Sequence, residues 1–133
     1  MILLDTHVLV WLDEGNPRLG KQALRTIDKA LASKQLGVAT ISFWEVAMLV
    51  RKKRLDIQVD LDTWRRELLQ NGLEEIPLLG STAIKAGQLE EFHGDPVDRI
   101  IVATALDCPA TLITADKKIL NWKKLREKID ATV

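Results

Sequence analysis

The sequence predicts an α/β protein: a three-layer α/β/α fold around a central parallel sheet of about four to five strands. Three observations predict it. Apolar runs of strand length alternate with segments whose apolar residues recur at helical spacing. Strands that alternate with helices are joined by right-handed crossovers, which lay them parallel and cover both faces of the sheet. A chain of 133 residues that is 47% apolar is long enough to bury a core of its own, so residues 1–133 read as one domain.

The elements follow in order. Ile2-Leu3-Leu4-Asp5 is a short buried strand. Thr6 is placed to cap a helix from His7 to about Asp13, which Gly15, Asn16 and Pro17 end. The segment from about Leu19 to Ser33 carries Ala23, Leu24, Ile27, Ala30 and Leu31 at helical spacing. Leu36 to Thr40 is the second strand. Ser42 starts a third helix, with Phe43, Val46, Ala47 and Val50 on one face. Leu61 to Gln70 is a further helix, closed by Asn71-Gly72. Leu73 to Leu78 reads as an edge strand, because Pro77 cannot donate to a central ladder. A short helix follows at Thr82 to Gln88. Asp95-Pro96-Val97-Asp98-Arg99 opens the next helix, with proline at the first position, where its missing N–H costs nothing. That helix continues to Leu106 and is apolar nearly all round, so it is expected to be buried. Thr111 to Thr114 is a strand, followed by Ala115-Asp116 and a short helical stretch. No repeat, low-complexity tract or long linker interrupts the pattern.

Composition narrows the function classes. The 19 basic and 19 acidic residues cancel, unlike the balance of a strongly basic nucleic-acid binder. Distribution matters more than the sum. Arg51-Lys52-Lys53-Arg54 is one basic run, and Lys117, Lys118, Lys123, Lys124, Arg126 and Lys128 form another. Such runs are ordinarily solvated faces. If acids gather in one pocket, however, the remaining surface is more basic than the total implies. Apolar stretches are too short to span a bilayer, and the N-terminus lacks the flank and length of a secretion signal. A cytoplasmic location, without membrane attachment, is therefore expected. The lone Cys108 agrees with a reducing compartment and reads as a small core residue rather than a nucleophile.

Four carboxylates carry the chemistry. Asp5 ends the first strand, Glu45 follows the second, Asp98 opens the buried helix and Asp116 follows the last strand by two residues. Each sits where the chain leaves a strand or enters a helix, and ligands bind at that edge of an open α/β sheet. Each also has a plainer reading. Ser42 and Glu45 have the spacing of a capping box. Asp95 and Asp98 share that spacing, and an acid near a helix N-terminus gains about 0.3–1 kcal/mol. Asp116 is equally the start of its short helix. Asp5 is harder to explain so, because it follows three apolar residues, where an unpaired charge is costly.

Together the four change the balance. Two unit charges about 4 Å apart interact by about 4 kcal/mol at an effective dielectric near 20. Arg99 is one local cation, with no evident set of buried partners beside it. A divalent ion is the natural remedy. All-oxygen sites suit Mg²⁺ or Mn²⁺, and the absence of a Cys/His cluster argues against zinc. Such an ion activates water and stabilises charge developing on a phosphodiester. Neither His7 nor His93 has a spaced His or Cys partner, so both read as ordinary polar residues. Trp11, Phe43, Trp44 and Trp64 are either core or a groove for a partner helix.

At this point the residues resemble a known family. Leu-Leu-Asp-Thr-His at the N-terminus, Ser-Phe-Trp-Glu at 42–45, the stretch from His93 to Ala105 and Leu112-Ile113-Thr114-Ala115-Asp116 look like PIN domains. More closely they resemble VapC-type toxins of bacterial toxin–antitoxin pairs, over essentially the whole chain. The resemblance implies a Mg²⁺- or Mn²⁺-dependent endoribonuclease, a homodimer, and inhibition by a cognate antitoxin. Asp5, Glu45, Asp98 and Asp116 match the family's acidic quartet. Thr6 and Thr114 match hydroxyl positions beside it, as supports for carboxylates or water or as helix caps. Asp95 belongs to the subgroup's Asp-Pro-x-Asp-Arg pattern and is expected to cap. Arg99 is expected either to pair with a carboxylate that fixes the buried helix or to contact phosphate.

The same acids admit other readings. A phosphotransferase with an aspartyl-phosphate intermediate needs a second Asp two residues after the nucleophile, whereas Thr6 and His7 follow Asp5. A receiver-like module that binds Mg²⁺ without turnover needs an acidic pair after the first strand; Asp116-Lys117 matches it only superficially. A purely structural dimerisation domain leaves the strand-end acids unexplained.

Overall fold

The computed structural model describes residues 1–133. The elements are β1 (Ile2–Leu4), α1 (Thr6–Glu14), α2 (Lys21–Ala32), β2 (Leu36–Ala39), α3 (Ile41–Arg51), α4 (Leu61–Gln70), β3 (Glu74–Ile76), α5 (Gly80–Gln88), α6 (Pro96–Asp107), β4 (Thr111–Thr114), α7 (Lys117–Leu120) and β5 (Lys128–Asp130). All strands pair in parallel, in the order β3-β2-β1-β4-β5. From β1 the chain winds outward through β2 to β3, then returns to lay β4 against the other side of β1. The sheet therefore has its topological switch between β1 and β4, where ligands collect in open parallel sheets.

Helices cover both faces, as the fold class requires. Successive strand residues point to opposite faces, so Leu4, Val38 and Ile113 enter one core cluster, while Leu3, Ala39 and Leu112 enter the other. Val8, Ala23, Ile27 and Trp64 complete the first layer; Ile101, Val102, Ile119 and Leu125 complete the second. Helix α6 is buried over Ile101–Ala105, as its all-round apolar sequence predicts. Gly15, at φ 62°, closes α1 in the left-handed conformation. Gly20 meets the backbone of Val133 so closely that a Cβ there would lie 2.2 Å from it.

The strand at β3 is an edge, as Pro77 predicts. The opposite edge strand, β5, is absent from the sequence-based element list. It contains one apolar residue, Ile129, between Lys128 and Asp130, and so gives no hydrophobic run. Cys108 is half-buried at the margin of the second cluster, not a full core residue.

Candidate active site at the carboxyl edge of the sheet

Asp5 leaves β1 and becomes the N-cap of α1, accepting from the Thr6 backbone N–H at 2.8 Å. The expected cap, Thr6, is instead the first helical residue. Its hydroxyl donates to Ser42 Oγ at 2.9 Å, inside the protein. The second oxygen of Asp5 accepts from the Thr114 hydroxyl at 2.6 Å. Thr114 also accepts from the Asp116 backbone N–H at 3.0 Å. One hydroxyl thus joins the ends of β1 and β4 across the switch point. Asp5 is only 5% exposed. Burial pushes its pKa above the ordinary value, against the opposing effect of the hydrogen bonds from Thr114 and Thr6.

The capping box expected at Ser42 and Glu45 does not form. Helix α3 begins at Ile41, and Ser42 lies inside it, buried against Thr6. Glu45 therefore falls past the third helical position and reaches the pocket. Burial raises its pKa, the Thr6 hydroxyl opposes this, and the charge of Asp5 adds to it.

Asp98 occupies the third position of α6, where its N–H donates to Asp95 Oδ1 at 2.9 Å. The expected cap by Asp95 is present. Burial comes first among the causes that lift Asp98 to about 7, followed by the charges of Asp95, Asp5, Asp116 and Glu45. Asp116 caps α7, accepting from the Lys118 N–H at 2.8 Å. Capping and pocket placement prove compatible for both Asp95 and Asp116.

All of these acids line one cavity of about 310 Å³, together with His7, Trp11 and Ala115. No lysine or arginine lines it. His7, Trp11 and Asp95 also line it, beyond the roles their sequence positions suggest: a polar residue, a core or groove aromatic and a helix cap. The available signal was positional: His7 and Trp11 are four apart and share a face of α1 with Asp5 at its head. As the side chains stand, no three are gathered tightly enough to hold one ion. The donor chemistry nonetheless suits a hard divalent cation, because the acids offer only oxygen and no lysine or arginine lines the pocket to balance them.

Arg99 is not in the pocket. It pairs with no carboxylate, contrary to expectation, and its guanidinium donates to the carbonyls of Ala86 (2.9 Å), Phe92 (2.8 Å), Leu89 (2.8 Å) and Gly87 (3.2 Å). It straps the last turn of α5 and the segment after it onto α6. The aromatic residues divide. Trp64 is core, Phe43 packs against it edge-on with ring centroids 6.0 Å apart, Trp11 faces the acids, and Trp44 stands 55% exposed.

The pattern of the PIN domain matches residues 2–125. This chain belongs to the PIN-domain family. Within it, the chain is 33% identical to Ribonuclease VapC22 of Mycobacterium tuberculosis (strain ATCC 25618 / H37Rv) over 126 residues, 94% of each protein, which places this PIN domain among the VapC-type members. Solved structures share the fold at lower identity. A toxin–antitoxin complex from Klebsiella pneumoniae aligns with TM-score 0.68 at 21% identity, covering 98% of each chain. VapBC2 from Rickettsia felis, bound to a promoter DNA fragment, gives 0.68 at 18% identity over 97% of this chain and 96% of that one. FitAcB from Neisseria gonorrhoeae gives 0.60 at 20% identity over 89% of each.

Proposed function

We propose that this PIN domain is a Mg²⁺- or Mn²⁺-dependent endoribonuclease and the toxin of a toxin–antitoxin pair, working in the cytoplasm as a homodimer. The observation that carries the reading is the gathering of Asp5, Glu45, Asp98 and Asp116 around one pocket without a lysine or arginine. The ribonuclease relative of the same length supports it. Those four carboxylates would hold the ion. A bound divalent ion supplies Lewis acidity, which lowers the pKa of water and offsets charge on a phosphodiester.

The chain's own residues divide the remaining work. Thr114 and the Thr6 N–H fix both oxygens of Asp5, so this carboxylate is pre-oriented. Asp98, whose pKa burial and the neighbouring acids lift to about 7, would release its proton more readily with a cation in the pocket. Glu45 stands in the pocket wall with the other acids, where its carboxylate would help to hold the ion and its water.

The partner's chemistry follows from two adjoining cavities. Glu45 and Asp95 line both the acid pocket and an apolar groove of about 420 Å³ formed with Ile41, Trp44, Met48 and Ile100. An antitoxin segment would set an Arg or Lys near Asp5 and Asp98 and lay apolar residues against Trp44. A guanidinium replaces a metal there with bidentate hydrogen bonds.

The receiver-like alternative is not favoured. Lys117 is 3.9 Å from Asp130, on β5, and does not line the acid pocket. The deciding experiment is RNA cleavage by purified protein in EDTA, then after adding back each metal. Cleavage should stop in chelator and return with Mg²⁺ or Mn²⁺ but poorly with Zn²⁺; undiminished cleavage in chelator overturns the metal mechanism.

A further inference from the structure

We infer that Trp11 and Arg18 form a clamp for one unstacked base of a single-stranded RNA, beside the acid pocket. The inference rests on the proposal that RNA is the substrate. Trp11 lines the same cavity as the acids, so a strand whose phosphodiester reaches them passes its ring. The Arg18 guanidinium carbon lies over that ring, 5.8 Å from its centroid. This is a loose contact, close to the outer limit of about 6 Å for an effective cation–π pair. Stacked layers in nucleic acids repeat at about 3.4 Å, so ring, base and guanidinium together need about 6.8 Å. An opening of about 1 Å by an exposed arginine admits the base.

Three features favour this use over a purely structural one. Arg18 takes part in none of the ion pairs of the protein, which join Arg65 to Glu75, Lys85 to Asp107, Lys117 to Asp130 and Lys124 to Glu90. Its charge stays available beside a pocket that otherwise repels phosphates. The loop that carries it is tied to the helix that carries Trp11. The Asn16 N–H donates to the Trp11 carbonyl at 2.8 Å, and Asn16 Oδ1 accepts from the Arg18 N–H at 2.9 Å. The similar pair of Arg65 over Phe43 differs, because Arg65 is held by Glu75 and Phe43 lies outside the pocket. An apolar protein segment is a poorer occupant than a base. Trp11 packs on the core and turns its free side to the acid pocket and to Arg18, whereas Trp44 opens onto aliphatic side chains. Stacking also tolerates any base, since each has a π-face.

The test is binding of short, labelled RNAs of mixed sequence to the full chain in EDTA, so that binding is read apart from hydrolysis. An RNA duplex serves as the second probe. Arg18→Ala and Trp11→Ala should each weaken single-strand binding about tenfold or more, while Trp11→Phe keeps most of it and duplex binding changes little. Arg18→Ala should also reduce the salt dependence of log affinity by about one, and Trp11→Ala should leave it unchanged. Arg18 is exposed, so its variant tests the clamp even if Trp11→Ala disturbs folding. Single-strand affinity unaltered in both Arg18→Ala and Trp11→Ala, or an equal loss for duplex, overturns the clamp. Binding through Trp11 without any cleavage in Mg²⁺ or Mn²⁺ supports the clamp and overturns the nuclease reading. Wild-type binding and cleavage in both alanine variants overturn the clamp alone.

Discussion

Thr114 Oγ1 donates to Asp5 Oδ2 at 2.6 Å, joining residues 109 apart in sequence at the switch point of the sheet. The same hydroxyl accepts from the Asp116 N–H. It therefore ties the most buried acid of the pocket to the strand end that supplies another.

Thr114→Val keeps the shape and removes the hydroxyl. Asp5 then loses its strongest opposing influence against burial, and its pKa moves further up. A hydrogen bond to a charged group is worth about 1.5–3 kcal/mol, so the variant should lose about that much stability at pH 8. Urea unfolding measures it. RNA cleavage per folded molecule should fall as well, because Asp5 is no longer fixed. Stability within about 0.5 kcal/mol of wild type removes this contact from the account.

Arg99→Met should destabilise the protein without touching the chemistry. Four backbone carbonyls lose their donor, which places the cost at several kcal/mol at most. Melting temperature should drop, while KM for RNA, measured on the folded protein at low temperature, stays unchanged. A raised KM at full stability would instead return Arg99 to a phosphate-binding role.

The metal-free protein should lose stability as pH rises from about 4 to about 7. An unfolded aspartate releases its proton near pH 4, whereas Asp98 keeps it to about 7. Across that window the native state binds more protons, so ΔG of unfolding falls with pH. Asp5 and Glu45 shift in the same direction. Added Mg²⁺ should recover stability, and more at pH 8 than at pH 5, because proton and metal compete for one pocket. Denaturant melts in EDTA and in saturating Mg²⁺ at the two pH values decide it. A metal-free stability that climbs from pH 5 to 8 contradicts the crowding of these acids.

The acids were legible in the sequence because each lies at a strand end or helix start, positions marked by local patterns such as Asp95-Pro96-Val97-Asp98. What those patterns could not supply was rotation and register. Helix α3 starts two residues earlier than a Ser42 cap implies, and this turns Ser42 inward to Thr6 and leaves Glu45 free of capping. Trp11 and His7 join the pocket through their four-residue spacing on α1 below Asp5, a pattern that apolar periodicity alone does not single out. The partners of Arg99 are backbone carbonyls, and these carry no signature in a sequence. Strand β5 has one apolar residue and depends on its pairing with β4.

An antitoxin-derived peptide carrying one arginine among apolar residues should compete with metal. Its affinity should weaken in Mg²⁺ and fall about tenfold or more in Trp44→Ala, the loss typical of an aromatic anchor. Calorimetric titration in EDTA and in Mg²⁺ measures both. Peptide binding that is indifferent to metal and to Trp44 places inhibition elsewhere on the protein.

Cleavage of RNA by Asp98→Asn, measured beside its thermal melt with and without Mg²⁺, tests the central claim most directly. Asparagine keeps the shape and the helix position but removes the charge. The account predicts a loss of cleavage of at least about a hundredfold, a folded protein, and a smaller rise in melting temperature on adding Mg²⁺ than in wild type. Wild-type cleavage with an unaltered response to Mg²⁺ would contradict it, leaving Asp98 as a helix-opening residue and the acid pocket without a catalytic role for it.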